Sequence, residues 1–199
     1  MTADWQSLEA SLHAHVKGER LAHTYRVLET ARRLAARFGA PEPTVAVAAL
    51  MHDWAKQMSA AQLLAEGQAR GLITDPVEVA APHLLHGPVA AALLQEQGLV
   101  TDPVALESIR WHTTGRPGMG LVEQIVWLAD YIEPGRRYEG VESVRRIAER
   151  DLTDAILLGL EQSIRFLLER RWPIHLASIQ AYNGLLPQKK ERDRTNGIR

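Results

Sequence analysis

Apolar residues recur at helical spacing along almost the whole chain, and nowhere do β-branched residues alternate as a half-buried strand requires. Leu21, Val27, Leu28, Ala31, Leu34, Ala35 and Phe38 form one such face, which Gly39-Ala40-Pro41 ends. The same reading predicts helices over 43–54, over 59–69, in a short segment opened by Thr74-Asp75-Pro76, and over 85–97, 103–112, 121–132 and 153–171. In the last of these, Ile156, Leu160, Ile164, Leu167 and Leu168 make a stripe expected to be buried, opposite Glu161, Arg165 and Glu169. The densest turn signal, Gly115-Arg116-Pro117-Gly118-Met119-Gly120, separates two helices. No strand precedes it and no Gly-Lys-Ser/Thr follows, so it is not a nucleotide-loop fingerprint. The expectation is an all-α protein: an N-terminal helical extension at 1–18, one helical domain at 19–187, and a polar, disordered tail at 188–199.

Composition narrows the function. With 199 residues, 46% hydrophobic and 24% charged, the chain has the size of one domain and needs neither disulfide nor metal merely to fold. It has no cysteine, which excludes disulfides, iron–sulfur clusters, thiolate zinc sites and a cysteine nucleophile, and fits a reducing compartment. A net charge of −1 with scattered basic residues gives no field for nucleic acid. The longest apolar run, Val45 to Met51, is far short of a membrane span, and the first residues lack the pattern of a signal peptide. A cytoplasmic protein with neither nucleic-acid nor membrane partners is expected.

The informative histidine is His52, because Asp53 follows it at the end of an apolar helix. An imidazole and a carboxylate are costly to bury unpaired, and metal coordination removes that cost. A solvated helix end that happens to read His-Asp is the plain alternative. Asp130 lies at the margin of the apolar arc of its helix, where it either reaches inward or bonds to a backbone amide or arginine. His23, His86 and His112 sit in separate helical segments, and each alone reads equally as a core or surface histidine. Together, imidazoles and carboxylates from five helices suit divalent iron, manganese or zinc. No spacing among them is short, so convergence is not legible from spacing.

Cations and donors near these positions suit a phosphate. Lys56 follows Asp53 by three residues, close to one helical turn. Arg116 sits in the glycine-rich turn beside His112, where a guanidinium fork grips phosphate oxygens. Thr113, Thr114 and the amides around Gly115 and Gly118 add donors. Arg26, one turn after His23, is a weaker candidate, and Arg136 weaker still. His13 and His15 read as surface residues, His83 as a helix-entry residue and His175 as the start of the last helix. Trp5, Trp111, Trp127 and Trp172 read as packing, although Trp111 and Tyr131 adjoin candidate ligands and either has a ring that stacks on a base.

The order His23, His52-Asp53, His86, His112, Asp130 resembles the HD-domain superfamily of metal-dependent phosphohydrolases, whose members are helical bundles with a metal site between helices. His23-Thr24-Tyr25-Arg26-Val27, Leu50 to Lys56, His86-Gly87-Pro88, the HTTGRPGM string from His112 and the LADYIEPG string from Leu128 are similar to its YqeK branch. Leu21 and Trp54 depart from that pattern where tyrosine or phenylalanine is expected. The resemblance implies a symmetrical bis(5'-nucleosyl)-tetraphosphatase that cuts diadenosine tetraphosphate into two ADP. It implies two divalent ions, iron favoured over manganese, cobalt or zinc. His23, His52 and Asp130 would hold one, His86 and His112 the other, with Asp53 between them. Asp53, Lys56 and Arg116 would serve catalysis, and Arg26, Lys56, Thr113, Thr114, Gly115 and Arg116 the substrate. Competing readings are an HD phosphohydrolase acting on a deoxynucleoside triphosphate, an alarmone or a nucleoside monophosphate, and a non-catalytic metal- or nucleotide-binding regulatory module. An apolar helical surface leaves a homodimer open.

Overall fold

A computed structural model describes residues 4–195. Among them are eleven α-helices, one 3-10 turn and no strand, so the all-α expectation holds. In chain order these are α1 (Trp5–His15), α2 (Gly18–Phe38), α3 (Glu42–Met51), α4 (Ala60–Ala69), α5 (Val77–Ala80), the 3-10 turn Pro82–Leu85, α6 (His86–Glu96), α7 (Pro103–Trp111), α8 (Leu121–Ile132), α9 (Val141–Ala148), α10 (Leu152–Glu169) and α11 (Leu176–Thr195). No helix of the described residues is long and apolar enough to cross a membrane.

The centre of the bundle is α3, in which Val45, Ala46, Ala48, Ala49, Leu50 and Met51 are all buried. A helix apolar on every side must be surrounded, and α3 lies against α1, α2, α7 and α8. Its many alanines let those neighbours approach closely. The amphipathic α2 buries Val27, Leu28, Ala31, Leu34 and Ala35 and stops at Gly39, whose φ of 72° is the left-handed conformation that ends a helix. α1 is capped by Asp4, which accepts from the amides of Gln6 and Ser7, and it adds Leu8 and Leu12 to the same core. α8 meets α10 at Gly159: a Cβ there would stand 2.9 Å from the Trp127 ring. That glycine lets α10 lie flat against the stacked pair of Trp127 and Tyr131, whose centroids are 5.2 Å apart.

Three details depart from the sequence reading. The helix expected through residue 54 ends at Met51, and the chain tightens into turns in which the Trp54 amide reaches the Met51 carbonyl and the Lys56 amide reaches that of Asp53. In α10 burial ends at Leu160: Leu168 is 61% exposed, and Phe166 and Trp172 also face solvent. The guanidinium of Arg170 covers the Phe166 ring at 3.7 Å, which makes this apolar end tolerable in water. The tail expected to be disordered from 188 is helical as far as Thr195. Lys189 anchors it, its ammonium lying 3.0 and 3.1 Å from the two carboxylate oxygens of Asp154 on α10. The part of that expectation covering 196–199 lies outside the described residues.

Asp102 joins two site-bearing helices. It caps α7 by accepting from the Val104 amide at 2.9 Å, and its other oxygen accepts from the Thr44 hydroxyl on α3 at 2.7 Å. Asp102→Ala is expected to cost about 1 kcal/mol. By scanning calorimetry that is a melting point lower by roughly 2–4 °C, with metal content unchanged.

Candidate metal centre

The bundle brings all six candidate ligands together. His23 comes from α2, His52 and Asp53 from the turn after α3, His86 from the first residue of α6, His112 from the end of α7, and Asp130 from α8. All but Asp130 are at least nine-tenths buried, His52 and His86 completely. Asp53 lies in the middle. Its Oδ1 is 3.2 Å from His86 Nε2 and 3.7 Å from His112 Nε2. Its Oδ2 is 3.5 Å from His52 Nε2 and 3.7 Å from His23 Nε2. Asp130 Oδ1 approaches His23 Nε2 to 3.1 Å.

Helix ends fix the protonation of the rings. The last carbonyls of a helix have no partner within it, and here imidazoles take them up. His52 Nδ1 donates to the Ala49 carbonyl at 2.7 Å, and His112 Nδ1 to that of Ile109 at 2.7 Å. His86 Nδ1 donates to the His83 carbonyl in the 3-10 turn. His23 Nδ1 donates to the Glu133 carboxylate at 3.1 Å. A carbonyl or carboxylate only accepts, so in each neutral ring the proton is on Nδ1 and Nε2 presents a lone pair to the centre.

That arrangement needs a cation. The lone pairs of His86 and His112 face one another at 2.9 Å. The Nε2 atoms of His23 and His52 are buried with no hydrogen-bond partner. Divalent ions satisfy such donors, and a second-shell acceptor behind each imidazole is the usual accompaniment of metal ligation. Among the described residues, two sets of ligand atoms lie within 4.8 Å of one another, close enough to share one ion: His23, His52 and Asp130, and His52, Asp53 and His112. The imidazole–carboxylate donor set fits a divalent metal.

Residues 20–135, which contain all six side chains, match the model of the HD domain. The chain belongs to the HD-domain family. It is 39% identical over 181 residues, 88% of this chain and 94% of the relative, to a protein of Halalkalibacterium halodurans named symmetrical bis(5'-nucleosyl)-tetraphosphatase. A Bacillus subtilis protein of the same name is 38% identical over 170 residues, 84% of this chain and 89% of the relative. The fold matches the crystal structure of a predicted HD superfamily hydrolase involved in NAD metabolism from Clostridium acetobutylicum. There the TM-score is 0.89 at 30% identity, covering 94% of this chain and 100% of that one.

The electrostatics of this HD domain follow from burial. Burial opposes the charge of Asp53, yet His52, His112 and His86 together hold its carboxyl well below the usual range. Burial, helped by the charge of Lys56, pushes His86 down to about 3, so its ring is neutral and free to ligate at physiological pH. Burial opposes the charge of Asp130, yet the guanidinium of Arg136 bound to it keeps its carboxyl below the usual range.

The phosphate candidates fall into two groups. Lys56 Nζ lies 3.2 Å from His86 Nε2 and 3.7 Å from Asp53 Oδ1. The Thr113 hydroxyl lies 3.1 Å from His112 Nε2 and 3.4 Å from His86 Nε2. The other four are engaged elsewhere. Arg116 forks onto both oxygens of Glu123 at 2.6 and 2.9 Å, and that glutamate also caps α8 through the Gly120 amide. Arg26 bridges Glu133 and Glu19 at 2.6 and 2.7 Å. The Thr114 hydroxyl donates to the Gly115 carbonyl, and the Thr114 carbonyl accepts from Ser178 on α11 at 2.9 Å. Gly115, with a φ of 66°, packs against Ala181 of the same helix. Beside the centre opens a cavity of about 210 Å³, walled by Thr113, Asp130, Tyr131, Arg136 and Tyr138 among others.

The sequence reading passed over two residues. Glu133 fixes His23 and is held by Arg26 and the Gly135 amide. Arg20 donates to Asp53 Oδ2 at 2.9 Å. Each lies three residues from a ligand on a helix face or at its end, and that spacing is the signal that would have found them.

Gly87 sets the distance between α6 and α7. A Cβ there would stand 2.8 Å from the Arg110 carbonyl oxygen and 3.3 Å from His112 Cε1. Gly87→Ala is expected to drive His86 and His112 apart and reduce the bound metal by half, as read by elemental analysis of the folded protein. Glu133→Gln, which removes the charge behind His23, is expected to weaken metal binding about 10- to 100-fold in a chelator competition.

Proposed function

We propose that this HD domain hydrolyses dinucleoside polyphosphates in a metal-dependent reaction, cutting diadenosine tetraphosphate between its two inner phosphates to give two ADP. The observation that carries the reading is the division of Asp53, with Oδ1 turned to His86 and His112 and Oδ2 to His23 and His52. One carboxylate thus faces two sets of imidazoles whose inner nitrogens carry no proton. The names of the two bacterial relatives supply the substrate. His23, His52, Asp130 and Asp53 Oδ2 would hold one ion, and His86, His112 and Asp53 Oδ1 the other. Bound there, such ions polarise phosphoryl oxygens and make water more acidic.

The chain's own side chains then have defined parts. Lys56, beside the Oδ1 half of the centre, offsets negative charge on the phosphate that departs. The Thr113 hydroxyl donates to a nonbridging oxygen, and the walls of the adjoining cavity limit where the chain of phosphates lies. In the net reaction, water adds to one inner phosphorus and the central anhydride P–O bond breaks. The bridging oxygen leaves with the second ADP. Iron is the metal of this reading, and a thiolate-free set of imidazoles and carboxylates suits it, as it suits manganese, cobalt or zinc. The reading places the enzyme in the cytoplasm. It also includes a homodimer, supported by the exposed Phe166, Leu168, Trp172 and Leu176.

The test is a nucleotide panel on metal-depleted protein reloaded with iron, manganese, cobalt or zinc, with products separated by chromatography. Diadenosine tetraphosphate is expected to give ADP alone, and Asp53→Ala to lose both turnover and metal. AMP with ATP would overturn the cleavage position. Metal binding without turnover of any nucleotide would favour the regulatory module.

A further inference from the structure

Arginine donors close to the centre are almost all committed. A guanidinium has five N–H groups. Arg26 is shared between two carboxylates, and Arg116 is matched to both oxygens of Glu123. Arg136 is bound to the Asp130 side chain and to its carbonyl. Arg20 differs. Among the described residues Asp53 is the only hydrogen-bond partner of its guanidinium, through Nη1 at 2.9 Å. Its Nε and Nη2 donors are uncommitted, and its side chain is 33% exposed.

We propose that Arg20 binds a phosphate of the substrate while it holds Asp53, an inference that rests on the hydrolase reading above. Arg20 lies in the first turn of α2, three residues before His23, so both side chains leave the same helix face. A carboxylate oxygen accepts in two directions, so Asp53 Oδ2 can receive Nη1 on one side and face His23 and His52 on the other. The remaining edge of the guanidinium is planar and charged, on a side chain one-third exposed, and such an edge pairs with two nonbridging phosphate oxygens. Position supports the same role. Arg20 is on the Oδ2 side of Asp53 and Lys56 on the Oδ1 side. One cation therefore flanks each half of the centre, and a phosphoanhydride spanning both halves meets one at each end. The ligand class is a pyrophosphate linkage, with each phosphorus carrying its own negative charge.

Arg20→Gln is the informative variant, because it keeps an N–H donor for Asp53 and removes the charged fork. Metal per chain would be measured by elemental analysis, and pyrophosphate and ADP binding to the metal-loaded protein by calorimetry. The expected result is unchanged metal with affinity for both probes reduced about 10- to 100-fold, the range for a lost charged hydrogen bond. Arg20→Lys should recover part of it as a point charge. Arg33→Ala, which removes a surface cation paired with Glu149, controls for net charge. Wild-type pyrophosphate affinity in Arg20→Gln would overturn the proposal. Loss of metal in both Arg20 variants would also overturn it, leaving Arg20 as a support for Asp53 alone. If the wild type fails to cut diadenosine tetraphosphate, the pyrophosphate isotherms still decide the part of Arg20, because they do not depend on turnover.

Discussion

Four buried imidazoles whose Nε2 lone pairs converge on one carboxylate repel one another. Every other feature of the site follows from how the bundle holds them in that state. Protonating the inner nitrogens would relieve the repulsion, but Nδ1 already carries the proton in each ring and donates it outward. At His86 a second proton would place a full charge in a buried position beside Lys56, which lowers the affinity of that ring for protons. Divalent ions supply the missing charge without changing the hydrogen bonds behind the rings. Folding energy and metal affinity are therefore linked.

The means of holding the rings is local. α3 and α7 both end with a histidine that takes up the carbonyl three residues back, and the 3-10 turn before α6 does the same for His86. Helix termini are where backbone acceptors go unpaired, so placing the ligands there satisfies the backbone and fixes the tautomer together. Close approach is then a matter of small residues. The alanines of α3 and the single hydrogen of Gly87 bring the ends of three helices to within reach of one carboxylate.

Much of this was readable in the sequence, for physical reasons that differ by residue. Helical periodicity gave the fold because burial in a bundle repeats every three to four residues, and the apolar setting of His52-Asp53 marked the centre because charge is rare there. The convergence of His23, His86, His112 and Asp130 was not readable from spacing, since packing between helices joins positions up to 107 residues apart in number, and there the family resemblance carried the reading. Arg116 illustrates the opposite difficulty. Its place beside His112 in a glycine-rich turn suited a phosphate, but the sequence did not reveal that Glu123, in the first turn of α8, would match its fork. The buried stripe of α10 was extended too far because periodicity continues in Leu167 and Leu168 after the partner surface has ended.

The loop that carries Thr113 rests on α11: Ser178 holds the Thr114 carbonyl, Ala181 meets Gly115, and a Cβ at Gly184 would stand 3.6 Å from Pro117. Yet α11 follows all six candidate ligands in the chain, with Asp130 already synthesised 46 residues before its first residue. On the ribosome, a nascent chain therefore contains every ligand well before the wall behind its substrate loop exists. The six side chains are thus made first, while the surface that supports the Thr113 loop is completed only when α11 emerges and docks.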